Sequence, residues 1–309
     1  MSTFTSFQEC QMVQIKSINR LMTAVAAATL AGCGGGGEET TARVNESAGG
    51  ISRTLAATGG ESGLTGTADA KTPQKDLPFG TNGTATLNLV NTSESWNDVV
   101  SQPDGKIVAV GLTANLPQQN WLIARYLPSG QLDTSFNGTG FVEIDLAVDR
   151  QDNATRVVLQ PDGKIVVAGS SGCCDQAMVR LNADGSIDPT FGVSGVVVTK
   201  STVGVTSLAT CVELLLLPDG SFRFIGRAIN QPGWGVTAYN ANGTLDQSFG
   251  IGGNIGIVRL VTQGETEPGG AVLNNGLITI GGFNLGSFVA ARIDATTGAF
   301  DPSFGTGGV

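Results

Sequence analysis

Short apolar runs broken by the same turns dominate the second half of this chain. Val157-Val158-Leu159 and Ile165-Val166-Val167-Ala168 flank Gln160-Pro161-Asp162-Gly163-Lys164. The same turn recurs as Gln102-Pro103-Asp104-Gly105-Lys106 and Leu217-Pro218-Asp219-Gly220-Ser221, and in degraded form as Leu273-Asn274-Asn275-Gly276-Leu277. Pro presets φ for the first turn residue, Asp tolerates the next, and Gly takes φ > 0. Apolar runs on both sides of such a turn predict a β-hairpin. A third run follows each hairpin, Trp121 to Tyr126 in one period and Ala177 to Leu181 in the next. A fourth, Phe141 to Leu146 for example, follows after a second turn. Ile107-Val108-Ala109-Val110 is apolar on both alternations, which predicts sheets covered on both faces.

Between the third and fourth runs stands a signature. It reads Asp133-Thr134-Ser135-Phe136, Asp188-Pro189-Thr190-Phe191, Asp246-Gln247-Ser248-Phe249 and Asp301-Pro302-Ser303-Phe304, with a weaker copy at Asp76-Leu77-Pro78-Phe79. The Phe positions recur every 55 to 58 residues, and a Gly follows each Phe by four: Gly83, Gly140, Gly195, Gly253 and Gly308. A fixed period of that size marks a repeat architecture. Four short strands per period, buried between neighbours, describe the blades of a propeller. The expected fold is all-β, a propeller-like array of four four-stranded units over residues 76–309, with Thr84 to Val90 supplying the first post-signature strand. Whether four units close a ring is left open by the pattern.

Three spaced elements recur in order: the Pro-Asp-Gly-Lys turn, the Ala-Arg-Tyr or Val-Arg-Leu strand, and the Leu-Asp-x-Ser-Phe-Gly close. On these the array resembles the delta-60 repeat, a bacterial β-propeller family of unknown molecular function. The resemblance implies a fold and no activity. Unit 3 departs from it with Ala238 where the others carry Arg125, Arg180 and Arg292, and unit 4 departs at its hairpin turn.

The N-terminus reads differently. Lys16 and Arg20 precede the apolar run Leu21 to Leu30, too short to span a bilayer and suited to a secretory signal. It ends in Leu30-Ala31-Gly32-Cys33, which resembles the lipobox of bacterial lipoproteins. That resemblance implies cleavage after residue 32, lipidation of Cys33, and stable anchoring by several acyl chains. Residues 1–11 fit a signal poorly, and Met12 makes a more ordinary start. Residues 33–75, rich in Gly, Ser, Thr and Glu, are expected to form a disordered tether. Gly34 favours the outer membrane by resemblance to lipoprotein sorting in enteric bacteria.

Composition removes whole classes of chemistry. The 309 residues include no His, so Ser-His-Asp and Cys-His catalysis and His-ligated metals are excluded. A net charge of −9 argues against nucleic acid as a partner. The five Cys have no metal spacing; Cys211 with Cys173 or Cys174 is the geometrically easier disulfide, against free thiols. No metal and no cofactor are expected. The repeated Asp reads as turn chemistry and the repeated Phe as an inter-blade plug, because a fold needs its turns in every unit and a catalyst needs its groups once. Each Arg eight or nine residues before a signature Asp is expected to pair with it. Trp121, Gln176, Trp234 and Phe288 share one register and are expected to pack between blades. The functional expectation is a lipid-anchored envelope scaffold that binds a protein or glycan and is not an enzyme. A carboxylate-based glycoside hydrolase is the alternative, with Glu143, Asp149, Asp152 and Glu213 as scattered candidates.

Overall fold

The computed structural model describes residues 79–90, 92–115, 118–147, 150–172, 175–200, 208–228, 233–250, 257–261, 266–284 and 287–309. The expected signal segment, Cys33, the tether, Asp76, Asp149, Cys173 and Cys174 lie outside them. Among the described residues every regular element is a strand.

The first sheet holds β1 (Ser93–Ser101), β2 (Ile107–Asn115), β3 (Gln118–Tyr126) and β4 (Phe141–Ile144), antiparallel and in chain order. The second repeats it with β5 (Asn153–Leu159), β6 (Ile165–Ser171), β7 (Asp175–Leu181) and β8 (Val196–Thr199). The third has β9 (Leu208–Leu216), β10 (Phe222–Ala228), β11 (Trp234–Tyr239) and β12 (Ile257–Val261). The fourth has three strands among the described residues, β13 (Thr266–Asn274), β14 (Leu277–Asn284) and β15 (Ser287–Asp294). The protein is therefore an all-β, propeller-like array of antiparallel sheets.

Among the described residues the fourth sheet shows three strands. One expectation is corrected. Thr84 to Val90 forms no strand, because among the described residues no strand pairs with it; it makes a single bridge, Thr81 to Thr84. The array does not close into a ring among the described residues.

The turn chemistry is as the residues dictate. Gly105, Gly163 and Gly220 each sit at φ 84. The Asp carboxylate two residues before Lys106, Lys164 or Ser221 accepts that residue's N–H. In the degraded fourth turn, Asn275 and Gly276 both take positive φ, so a two-residue turn replaces the longer one.

Successive sheets pack face to face. One apolar cluster joins Val108, Val110, Trp121, Ile123 and Phe136 of the first unit to Ala154, Val157, Ile165 and Val167 of the second. Another joins Val166 and Met178 to Leu214, Phe222 and Phe224, and a third joins Ile225, Val236 and Phe249 to Ile278, Ile280 and Ile293. The middle strands β2, β6 and β10 are covered on both sides, which is why they read as near-continuous apolar runs. Burying each such side chain contributes about 1.5–3 kcal/mol.

Candidate functional site

The signature builds one joint four times. In the first unit Asp133 Oδ1 accepts the N–H and the hydroxyl of Ser135, at 3.1 and 2.6 Å, closing a tight turn. The same pair of bonds recurs at Asp188 with Thr190, Asp246 with Ser248 and Asp301 with Ser303. The other carboxylate oxygen takes the Arg of the preceding strand: Arg125 to Asp133 at 2.7 Å, Arg180 to Asp188 at 2.7 Å, Arg292 to Asp301 at 2.6 Å. Each guanidinium lies over the signature ring, 4.7 Å above Phe136, 4.6 Å above Phe191 and 4.7 Å above Phe304. It also donates into the next unit, Arg125 to the Ala183 carbonyl and Arg180 to the Ala241 carbonyl at 3.0 Å. Lys106 and Lys164 reach the same carboxylates at 3.5 and 2.9 Å.

Burial pushes the Asp188 carboxyl up, but bonds from Thr190 and Lys164 and the charge of Arg180 outweigh it and hold the group well below the usual carboxylate range. For Asp133, burial again acts upward and is outweighed by Ser135 and Arg125. At half-buried Asp301 the Ser303 bonds lead, helped by Arg292. These carboxylates are ionised, paired and satisfied, and three of the four Asp–Arg pairs use the strand Arg the repeat predicts.

Unit 3 solves the same problem with another residue. Ala238 on β11 faces Arg223 on β10. Arg223 is buried, lies 4.9 Å over Phe249, and donates to the Ala295 carbonyl of the next unit at 2.7 Å. Its nearest approach to Asp246 is 3.9 Å. The guanidinium has crossed to the neighbouring strand and kept its job. Val108 and Val166 hold the corresponding positions elsewhere, so an Arg inside the apolar run Phe222-Arg223-Phe224 was the readable signal.

Phe136, Phe191 and Phe249 are buried, whereas Phe79 and Phe304, in the first and last described signatures, are half-buried. Trp121, Gln176 and Trp234 are buried between units; Trp121 Nε1 donates to the Ser170 carbonyl, and Gln176 bonds Thr237 and Tyr239 of the third unit. Phe288 departs from that set and is 80% exposed. Cys211 is buried with a free thiol, and burial pushes its pKa well up, away from reactivity. Among the described residues no three His, Cys, Asp or Glu side chains gather as a metal site.

The residues that break the repeat lie elsewhere. The first strands of successive sheets lie side by side, and each carries a β-bulge, at Asn97, Thr155, Val212 and Gly269. Bulges re-aim the side chains beside them. Asn97 Nδ2 donates to the Ala154 carbonyl at 2.7 Å, and Thr155 Oγ1 to the Cys211 carbonyl at 3.0 Å, so bulge residues stitch neighbouring first strands together. The next residue in each strand is Asp98, Arg156, Glu213 or Gly270. Repetition thus puts two carboxylates, one guanidinium and one bare backbone at equivalent places.

Asp98, Arg156 and Glu213 are all half-buried. Asp98 Oδ2 accepts the Val157 N–H at 2.9 Å, which ties it to the Arg156 strand. Burial pushes the Glu213 carboxyl up; Arg156 pulls it back and Asp98 adds to the rise. Glu213 on the third sheet therefore feels the charges of Arg156 on the second and Asp98 on the first.

Of the scattered carboxylate candidates, Glu213 joins this cluster. Glu143 sits on β4, accepting from Thr113 at 2.6 Å and Asn120 at 3.0 Å. Asp152 is fully buried and accepts three backbone N–H groups, from Leu146, Ala147 and Gly172, a structural clamp. Asp98 and Arg156 were not among the candidates read from the sequence. The signal was their spacing: Asp98, Arg156 and Glu213 each stand five residues before the turn Pro103, Pro161 or Pro218.

Comparison with known proteins agrees on the fold. Residues 102–136 and 160–191 match the family model described as a beta-propeller domain of unknown function, DUF5122. Each matched stretch runs from a Pro-Asp-Gly-Lys turn to a signature Phe, covering hairpin, third strand and joint. A solved structure from Bifidobacterium bifidum s17, provisionally named an exo-beta-1,3-galactanase, is similar over 71% of each chain at 12% identity and a TM-score of 0.34. No curated protein matches the chain.

Proposed function

We propose that the chain is a lipid-anchored β-propeller of the cell envelope that binds a polar ligand, a glycan or a protein surface, and does not turn it over. The observation that carries this reading is the trio Asp98, Arg156 and Glu213. A repeat keeps the same residue wherever packing demands it, as the signature Asp and Phe show. At these three equivalent positions the residues differ in charge, so the fold does not require them. Together they offer two acceptors and a planar multiple donor, the set that recognises hydroxyl and amide groups. The lipobox-like Leu30-Ala31-Gly32-Cys33 supports an anchor at Cys33, with the outer membrane as the site.

Two experiments test the reading. Wild type and Arg156→Ala are compared on a glycan array and against chromogenic glycosides. Binding by wild type that is lost in the variant, with no colour released by either, is the expected result. Turnover that depends on Asp98 and Glu213 would replace the scaffold by a carboxylate hydrolase. Incorporation of labelled palmitate, abolished by Cys33→Ala, tests the anchor, and equal labelling of both would overturn it.

A further inference from the structure

The dipeptide Asn-Gly occurs four times in the chain, at Asn82-Gly83, Asn137-Gly138, Asn242-Gly243 and Asn275-Gly276. At such a step the backbone can attack the asparagine amide, because Gly puts no side chain in the way of its own nitrogen. The Gly nitrogen loses its proton and bonds to the Asn side-chain carbon, which closes a five-membered imide. The bond from that carbon to Nδ2 breaks, and the nitrogen leaves with the proton as ammonia. Water then opens the imide at either carbonyl. The product is an aspartate linked through its main chain or through its side chain. No oxidant, metal or cofactor enters. The four dipeptides are identical, and all four Asn side chains are exposed, so neither sequence nor access to water separates them.

Hydrogen bonding does separate them. Asn242 Oδ1 accepts the N–H and the hydroxyl of Thr244, at 3.0 and 2.7 Å. The attacking nitrogen of Gly243 is occupied as well, donating to the Asn240 carbonyl at 2.9 Å. Gly243 is also buried, and a Cβ there would stand 2.9 Å from Phe191 and 2.7 Å from Val197. Asn137 is held at both ends. Its main-chain N–H donates to the Asp184 carbonyl of the next unit at 2.7 Å, and its Nδ2 to the Phe141 carbonyl at 3.1 Å. Both side chains must break bonds before the Gly nitrogen can reach them.

Asn82 and Asn275 stand differently. Each opens a two-residue turn at the tip of a paired segment. Thr81 and Thr84 exchange N–H to carbonyl bonds at 2.8 and 3.1 Å around the first turn, and Asn274 pairs with Leu277 around the second. Among the described residues neither Asn side chain is bonded, nor is the nitrogen of Gly83 or Gly276, and a Cβ on either Gly would meet nothing within 4 Å. Asn82, Asn137 and Asn275 share a positive φ of 54, 52 and 49, so backbone conformation does not distinguish the free pair from Asn137. Exposed turns without tertiary bonds are the parts of a fold that open at least cost.

We propose that Asn82 and Asn275 are sites of spontaneous imide formation, and that Asn137 and Asn242 are protected by the bonds of the joints they help to build. Each conversion adds a negative charge to a turn. At position 275 the main-chain product restores the Asp-Gly of Asp104-Gly105, Asp162-Gly163 and Asp219-Gly220. The side-chain product lengthens the backbone inside the pair Asn274 and Leu277 and so loosens the β13–β14 hairpin at its tip.

The test follows the full chain at mildly alkaline pH, where the Gly nitrogen gives up its proton more readily. Samples taken over time are digested, and the four peptides are quantified by mass spectrometry with the two aspartate linkages separated. Asn82 and Asn275 are expected to convert about tenfold or more faster than Asn137 and Asn242, with both linkages present. In guanidinium chloride the four rates should converge, because the bonds that separate them are gone. Conversion of Asn137 or Asn242 as fast as Asn82 or Asn275 in the folded chain overturns the proposal. So does a difference that survives unfolding, since the fold would then not be its cause. Main-chain aspartate as the sole product would rule out the imide route.

Discussion

Arg223 stands over the Phe249 ring and directly across the sheet from Ala238. In the other units the guanidinium that covers the signature ring comes from the strand that Ala238 occupies. The charge has moved by one strand while its targets, a Phe face and a carbonyl of the next unit, have stayed put. What the repeat preserves is therefore a guanidinium at a point in space, and either of two facing backbone positions can deliver it.

That exchange can be tested directly. Arg223→Met removes a buried charged donor to the Ala295 carbonyl and should cost about 1.5–3 kcal/mol, read from chemical denaturation. Combining R223V with A238R rebuilds the arrangement of the second unit and should recover most of that loss. A double variant no more stable than R223V alone would show that the two strands are not interchangeable.

The Phe plug sets the largest single contribution expected at the joints. Phe136 is fully buried beneath Arg125 and against the Gly185 turn. Phe136→Ala should cost about 3–5 kcal/mol, whereas Phe304→Ala, at a half-buried ring, should cost clearly less. Thermal melts of the two variants side by side provide the check, and equal losses would contradict the assigned positions.

Gly185 is required for two separate reasons. It sits at φ 88, and a Cβ there would lie 2.8 Å from the Phe136 ring and 2.9 Å from the Asn137 nitrogen. Gly185→Ala should lower stability by more than the roughly 1–2 kcal/mol of left-handed strain alone. Gly138→Ala, at φ 75 with open space around it, isolates the strain. The difference between the two denaturation midpoints measures the crowding.

Stability should peak in mild acid. The Asp133, Asp188 and Asp301 carboxyls titrate lower in the folded chain than in the unfolded one. Their contribution is complete above the ordinary carboxylate pKa and is lost as pH falls through the folded values. Asp152 and Glu213 are raised, chiefly by burial, so the folded chain favours their protonated form. That contribution is present below the ordinary carboxylate pKa and disappears as pH rises through the folded values. Melting temperatures taken against pH should fall on both sides. Asp188→Asn should flatten the acid limb and Glu213→Gln the other; unchanged limbs would contradict these assignments.

Period and turn chemistry were legible because each depends on a few neighbouring residues. Pro-Asp-Gly needs only its own backbone to turn, and Asp-x-Ser-Phe needs only two hydroxyl and amide donors to close. The Arg–Asp pairing was legible for the same reason, since both partners recur at a nearly constant spacing within one unit. Ala238 looked like a gap because its replacement lies fifteen residues earlier in the chain, across a strand pair that only the folded sheet defines.

By itself, the order of residues determined that this chain builds repeated antiparallel sheets, with a recurring Asp, Arg and Phe at their joints. Tertiary structure alone decided which residues from different units meet. It put Asp98, Arg156 and Glu213 at equivalent places on neighbouring first strands, laid Ala85 and Leu87 against the first sheet, and left Phe288 exposed. The reason is physical: local chemistry fixes a turn within a few residues, while the neighbour of a sheet face depends on which other sheet, if any, arrives to cover it.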